Sequence, residues 1–208
     1  MSRIGVLVSG RGSNLQALLD AQAAGTLGGE VVVVISNHAG VPALERAAKA
    51  GVPTVVLERD AFESRKAQHL AICEALVSHN VDIVVLAGFD RILHPEVVRR
   101  FQQRILNVHP SLLPAFAGGL HAQADALDYG VKVAGCTVHF VTEEVDAGPI
   151  VLQAPVPVLD DDTVESLSAR ILEEEHRILP EAVRLLAEGR LRIEGRRVRV
   201  LPDPLRAD

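Results

Sequence analysis

"VVVVISN", residues 31–37, is an apolar run that ends in two polar residues without first alternating. A half-buried strand shows every second side chain to water, whereas five consecutive aliphatic residues suit a strand covered on both faces, as in a parallel sheet wrapped by helices. Runs of the same kind lie at 3–10 (RIGVLVSG), 54–58 (TVVLE), 82–89 (DIVVLAGF) and 104–110 (RILNVHP). Between them stand stretches with helical spacing of apolar residues, at 14–25, 42–51, 64–79 and 94–101. Alternation of this kind, with right-handed crossovers, predicts an open, mostly parallel α/β sheet flanked by helices.

Past residue 130 the pattern changes. KVAGCTVHFVT (132–142) and PIVLQAPVPV (149–158) are separated only by a polar turn, so they are expected to pair antiparallel and extend the sheet at its C-terminal side. Residues 163–189 read as a helix entered through Asp162 and Glu165 as a capping box and interrupted at Pro180. The tail LRIEGRRVRV (191–200) alternates apolar and basic residues about a Glu-Gly turn, as a small edge hairpin does. The expected fold class is α/β, a Rossmann-like sheet with an antiparallel extension, built as one domain over residues 1–208.

Composition narrows the function. Aromatic residues make up 3% of the chain and Trp is absent, so platforms for stacking bases are lacking. A net charge of −6 and a pI near 5.7 argue against neutralising nucleic-acid phosphates, and the arginines of the tail read as a solvated hairpin face. The opening MSRIGVLVSG is too short for a signal-peptide core or a membrane span, which points to a cytoplasmic protein. Cys73 and Cys136 have no C-x-x-C partner and read as free buried thiols.

Two places carry chemistry. In SGRGSN (9–14), glycines between the first strand and the first helix allow close backbone approach, and free amides at the helix start favour an anion. A plain strand-to-helix turn also accounts for such glycines. Leu15 and Asn37 stand where a dinucleotide fingerprint needs a small residue and an acid, and no Lys follows, so a cradle for a single phosphate on Gly12, Ser13 and Asn14 remains.

ILNVHPSLLP (105–114) places Asn107 and His109 two residues apart at a strand's carboxyl end, where α/β sheets bind ligands. An amide donor and an imidazole suit addition to a carbonyl carbon. No Ser or Cys nucleophile elbow is present, so the attacking atom belongs to the substrate. Asp146, in a loop closed by Gly and Pro, is a candidate to orient the ring, and equally a turn-former. Farther on, Ile171, Glu175 and Ile178 share a helical stripe, so Glu175 sits where an apolar residue is expected.

The blocks GRGSN, AGFDRIL, ILNVHPSLLP, CTVHFVTEEVDAGPI and EEEHRILP occur in the order and near the spacings of the glycinamide ribonucleotide formyltransferase family, which the chain resembles up to about residue 190. The resemblance implies formyl transfer from 10-formyltetrahydrofolate, the co-substrate, to the amine of phosphoribosylglycinamide, in purine biosynthesis. It implies Asn107, His109 and Asp146 as the catalytic trio, Gly12, Ser13 and Asn14 as the substrate-phosphate loop, and Glu175 as a further contact to the glycinamide nucleotide. Folate contacts fall on Arg65, which meets the glutamate tail, on Asp90, Arg91, Ile92 and Leu93, on Asn107, and on Thr142, Glu143, Glu144, Val145 and Asp146. Residues 1–110 would form the phosphate-binding half, and 111–208 the folate loop, mixed sheet and last helix. No metal, nucleic acid or membrane is implied, and the chain is expected as a monomer or weak homodimer.

Asp90 departs from the family pattern, which is often apolar there, and so does the 115–125 segment, with Gln123 where relatives have His; no role is carried over to His121. Rival readings are hydrolysis of the formyl folate, formyl transfer to methionyl-tRNA, a metal hydrolase using His109, His121, His139 and Asp146, and a non-catalytic folate or phosphate sensor. The chain's length is expected to disfavour the first two, the absence of tight ligand spacing the third, and the intact trio the fourth.

Overall fold

A computed structural model describes residues 1–203. One nine-stranded sheet runs through the molecule in the order β3-β2-β1-β4-β5-β6-β7-β9-β8. Its parallel part holds β1 (Ser2–Val8), β2 (Gly29–Ser36), β3 (Thr54–Val56), β4 (Ile83–Leu86) and β5 (Ile105–His109). Connecting them are α1 (Ser13–Ala23), α2 (Pro42–Lys49), α3 (Arg65–Ser78) and α4 (Pro95–Arg100). β6 (Val133–Phe140) and β7 (Ile150–Pro157) continue the sheet antiparallel, and the hairpin of β8 (Leu191–Glu194) and β9 (Arg197–Val200) closes the edge, with β9 parallel to β7.

The Val-rich run behaves as expected. Residues 31–36 are all buried: Val31 and Val34 join the aliphatic core shared with α1, α2 and α6 (Val164–Ala187), while Val32, Val33 and Ile35 pack with α3 and α4 around Phe101. Both faces are therefore dry, which suits aliphatic rather than alternating sequence.

Three details depart from the sequence reading. Thr163, not Asp162, caps α6: its hydroxyl accepts from Ser166 N–H at 3.2 Å, and Ser166 Oγ accepts from Thr163 N–H at 2.9 Å. Asp162 instead holds Arg170, 2.5 Å from Nη2. Pro180 does not break α6, which runs 24 residues. One backbone bond is forfeited there, but Ile178, Leu179, Ala182 and Val183 are buried on either side and hold the helix to the core. A short helix not expected from the pattern, α5 (Ala122–Tyr129), follows the 115–121 loop. Among the described residues no helix is long and apolar enough to cross a membrane.

Candidate active site

β5 delivers Asn107 and His109 side by side to the carboxyl edge of the sheet, where both line a cavity of about 850 Å³. His109 is 6% exposed. Its Nε2 lies 3.0 Å from the Phe116 carbonyl oxygen and its Nδ1 3.4 Å from Asp146 Oδ2, so both ring nitrogens face acceptors.

Asp146 comes from the β6–β7 connection with φ at 51°, in the left-handed region uncommon for a residue with a Cβ. Gly118 N–H donates to its Oδ2 at 2.8 Å, so one loop, 116–118, holds both the imidazole and the carboxylate. The His139 ring when it carries a proton on Nε2, then the Gly118 amide and the charge of His109, pull the Asp146 carboxyl down to about 2 against the opposing effect of burial.

His139, which the sequence offers only to the rival metal-hydrolase reading, lines the cavity beside the trio. It faces Asn107 across the β5–β6 ladder. Its Nδ1 is 2.9 Å from the Phe140 carbonyl, so Nδ1 carries the proton and Nε2, 3.1 Å from Asn107 Nδ2, accepts from that amide. The Asn107 amide keeps its second N–H for a ligand. At 3.6 Å, His139 Nε2 and Asp146 Oδ1 are electrostatic neighbours rather than a hydrogen-bonded pair.

Around this cluster the cavity is walled by the expected folate residues. Arg65, Asp90, Arg91, Ile92 and Leu93 line one side, and Thr142, Glu144, Val145 and Asp146 the other. Arg65 donates through Nη2 to the Ile92 carbonyl, which ties α3 to the 88–93 segment. Ile92 is 54% exposed and Val145 43%, apolar surface that a bound ring would cover. Glu143 is the exception: it does not line the cavity, and pairs with Arg99 at 2.8 Å on the outer side. Asp90 reaches the rim but turns its carboxylate to Ser9, Asn37 and His38. Burial raises that carboxyl, yet the hydrogen bonds from Asn37 and His38, the nearby Ser9 hydroxyl and the charge of Arg91 leave it net below the ordinary range.

The glycine loop forms a second recess. Gly12 has φ at 72°, and a Cβ there would meet Ala43 Cα and Cβ at 2.7 Å, so only glycine lets the loop lie on the start of α2. Ser13 opens onto a pocket of about 550 Å³ together with Gln16, Asp20, Arg46, His176 and Pro180. Arg46 and His176 escaped the sequence reading, since neither sits in the loop. Burial first, and the charge of Arg46 second, lower the His176 pKa, with Asp20 opposing; its Nε2 has no hydrogen-bond partner. Asn14 and Glu175, both buried, meet at 2.7 Å between Nδ2 and Oε2. Burial pushes the Glu175 carboxyl above its usual range, and the Asn14 amide offsets part of that.

The expected division at residue 110 is crossed in both directions. The large cavity draws Arg65 and residues 88–93 from the first half, and Glu175 of the second half reaches the glycine loop. Among the described residues no group of three or more His, Cys, Asp or Glu side chains is arranged to hold a metal ion.

Comparison with known proteins adds a second line. Residues 2–183 match the family model described as formyl transferase. The chain is 45% identical over 188 residues to a phosphoribosylglycinamide formyltransferase of Escherichia coli, covering 90% of this chain and 88% of that protein. It is 49% identical over 196 residues to a trifunctional purine biosynthetic protein of Chironomus tentans, covering 93% of this chain but 14% of that one; of the trifunctional protein of Bos taurus it spans 19%. Among solved structures, glycinamide ribonucleotide transformylase 1 of Symbiobacterium toebii superposes with a TM-score of 0.95 at 59% identity, over 97% of this chain and 95% of that one.

Proposed function

The chain belongs to the formyl transferase family, and from that membership we propose that it transfers the formyl group of 10-formyltetrahydrofolate to the amine of phosphoribosylglycinamide. The observation that carries the reading is the meeting of Asn107 and His109 of β5 with Asp146 of the β6–β7 connection at one cavity, with a second recess suited to an anion at the glycine loop.

In this reading the folate occupies the large cavity, its ring against Ile92, Leu93 and Val145 and its glutamate tail toward Arg65. The acceptor's phosphate lies on the amides of Gly12, Ser13 and Asn14, with Arg46 supplying positive charge and the His176 ring a hydrogen-bonding group, and Glu175 contacts the same nucleotide. Burial disfavours the charged form of the Glu175 carboxyl, which lessens its repulsion of the phosphate.

The residues then divide the chemistry. The acceptor amine must be neutral to attack, and an amine of pKa near ~8 provides a usable neutral fraction. As the formyl carbon becomes tetrahedral, the free Asn107 N–H and the His109 ring donate to its oxygen. Asp146, facing His109 Nδ1, orients that ring, and the pair takes part in removing the amine proton. His109 Nε2 is bonded to the Phe116 carbonyl, so donation to substrate requires the 115–121 loop to yield that contact. The amine attacks directly, the tetrahedral intermediate collapses with cleavage of the bond between the formyl carbon and the folate nitrogen, that nitrogen takes up a proton as the amine loses one, and no covalent enzyme intermediate forms. Holding both reactants at one edge of the sheet removes the entropic cost of their encounter from the chemical step.

The test is folate-dependent formylation by the purified protein of phosphoribosylglycinamide beside methionyl-tRNA. Saturable turnover of the glycinamide nucleotide alone is expected. Binding of both ligands without transfer would favour a sensor and sink the proposal.

A further inference from the structure

Three strand ends meet at the carboxyl edge: Ser9 after β1, Asn37 after β2 and Asp90 beyond β4. Ser9 Oγ donates to Asn37 Oδ1 at 2.6 Å, Asn37 Nδ2 donates to Asp90 Oδ1 at 2.7 Å, and Asp90 N–H donates back to Ser9 Oγ at 2.9 Å. The serine hydroxyl has one proton, so this assignment uses each donor once and closes a ring of three hydrogen bonds. Such rings reinforce their members, because each group is polarised as donor and acceptor together. Asn37 is buried, which makes the ring the outlet for both of its polar atoms. Two further contacts fasten it: Ser9 N–H donates to the Gly88 carbonyl at 3.1 Å, and His38 Nε2 lies 3.0 Å from Asp90 Oδ2.

The ring lies between the two recesses. Ser9 is the residue from which the 10–14 loop departs, and Asp90 starts the 90–93 wall of the large cavity, itself tied to Arg65 through the Ile92 carbonyl. The loop has a matching outer brace, from Arg46 Nε to the Arg11 carbonyl at 3.0 Å. A shift of either wall therefore strains the ring and is passed to the other.

We propose that the Ser9–Asn37–Asp90 ring is a positioning device that couples the two substrate sites, so that occupancy of one tightens binding at the other. The proposal rests on the reading of the two recesses given above. Coupling of this kind is reciprocal by thermodynamic necessity.

Calorimetric titration of phosphoribosylglycinamide into the protein, with and without saturating tetrahydrofolate, tests it; tetrahydrofolate carries no formyl group, so no turnover intervenes. The parent is expected to bind the nucleotide about fivefold tighter, or more, in the presence of the folate. Ser9→Ala and Asp90→Leu open the ring and should bring that ratio close to one. Ser9→Thr restores the hydroxyl, and Asp90→Asn keeps an oxygen for Asn37, so both should retain it. A purely structural ring would weaken both ligands in the open variants and leave the ratio intact, and that outcome overturns the coupling. So does a parent that transfers formyl yet shows no ratio, which leaves the functional reading standing. A parent that binds neither compound overturns both.

Discussion

Asp146 Oδ2 stands 3.4 Å from His109 Nδ1 although 36 residues of chain lie between them, and the residue that carries the carboxylate holds a φ of 51° to reach it. Gly118 fixes the approach from the other side, 2.8 Å from the same oxygen. Backbone strain is kept where several contacts over-determine it. The consequences can be measured.

Asp146→Asn and His109→Ala should each lower kcat by about 10²–10⁴-fold, the range for a positioned acid–base group, with circular dichroism unchanged. Because the two act as a unit, the double variant should lose little more than the worse single one. Multiplicative losses in steady-state kinetics would mean that they work independently.

Acid sensitivity follows from the same carboxylate. Its folded pKa, about 2, lies below the ordinary value of 3.8, so it adds stability above pH ~4 that is lost as pH falls toward 2. The amount is on the order of 2 kcal/mol. Asn mimics the protonated form, so in urea unfolding the gap between parent and Asp146→Asn should close between pH 5 and pH ~2. A gap that is constant with pH would contradict the assigned shift.

His139→Phe removes the acceptor that aims the Asn107 amide, 3.1 Å away. A misplacement of a donor by 1 Å costs about 10²-fold, and a kcat loss of that order with little change in the donor's KM is expected. A variant with normal kcat would show that Asn107 needs no such support.

At Gly12 an added methyl meets Ala43 at 2.7 Å in a left-handed backbone. Gly12→Ala should cost about 1–2 kcal/mol of stability from the backbone alone and raise KM for phosphoribosylglycinamide more than for the folate. Thermal melts and the two KM values check both halves.

Arg65→Ala should raise KM for a polyglutamylated donor more than for a tail-truncated one. Equal effects would argue that Arg65 serves only to hold the Ile92 carbonyl.

Much was legible in the chain itself. Aliphatic runs at 6–8, 31–35 and 83–87 report strands with two dry faces, and that fixes a helix-covered parallel sheet whatever the side chains do elsewhere. Asn107 and His109 announce themselves because polar residues two apart at a strand end must share a side. The glycine loop is equally local, since positive φ and close approach leave few other residues possible.

What the tertiary structure decided is which distant groups meet these local ones. Nothing in the sequence joins His139 to Asn107, because the connection from β5 to β6 is too long to set a register by eye; only the ladder shows the two opposite each other. Glu143 and Glu144 are chain neighbours, yet a turn sends one to Arg99 and the other to the cavity. Arg46 and His176 reach the glycine loop from two different helices, and Asp90, at the rim of the large cavity, turns its carboxylate to Asn37 and takes its N–H to Ser9. Periodicity and turn chemistry act over a few residues and are written in the sequence. Contacts between side chains tens of residues apart depend on how the layers pack, and no local pattern encodes that.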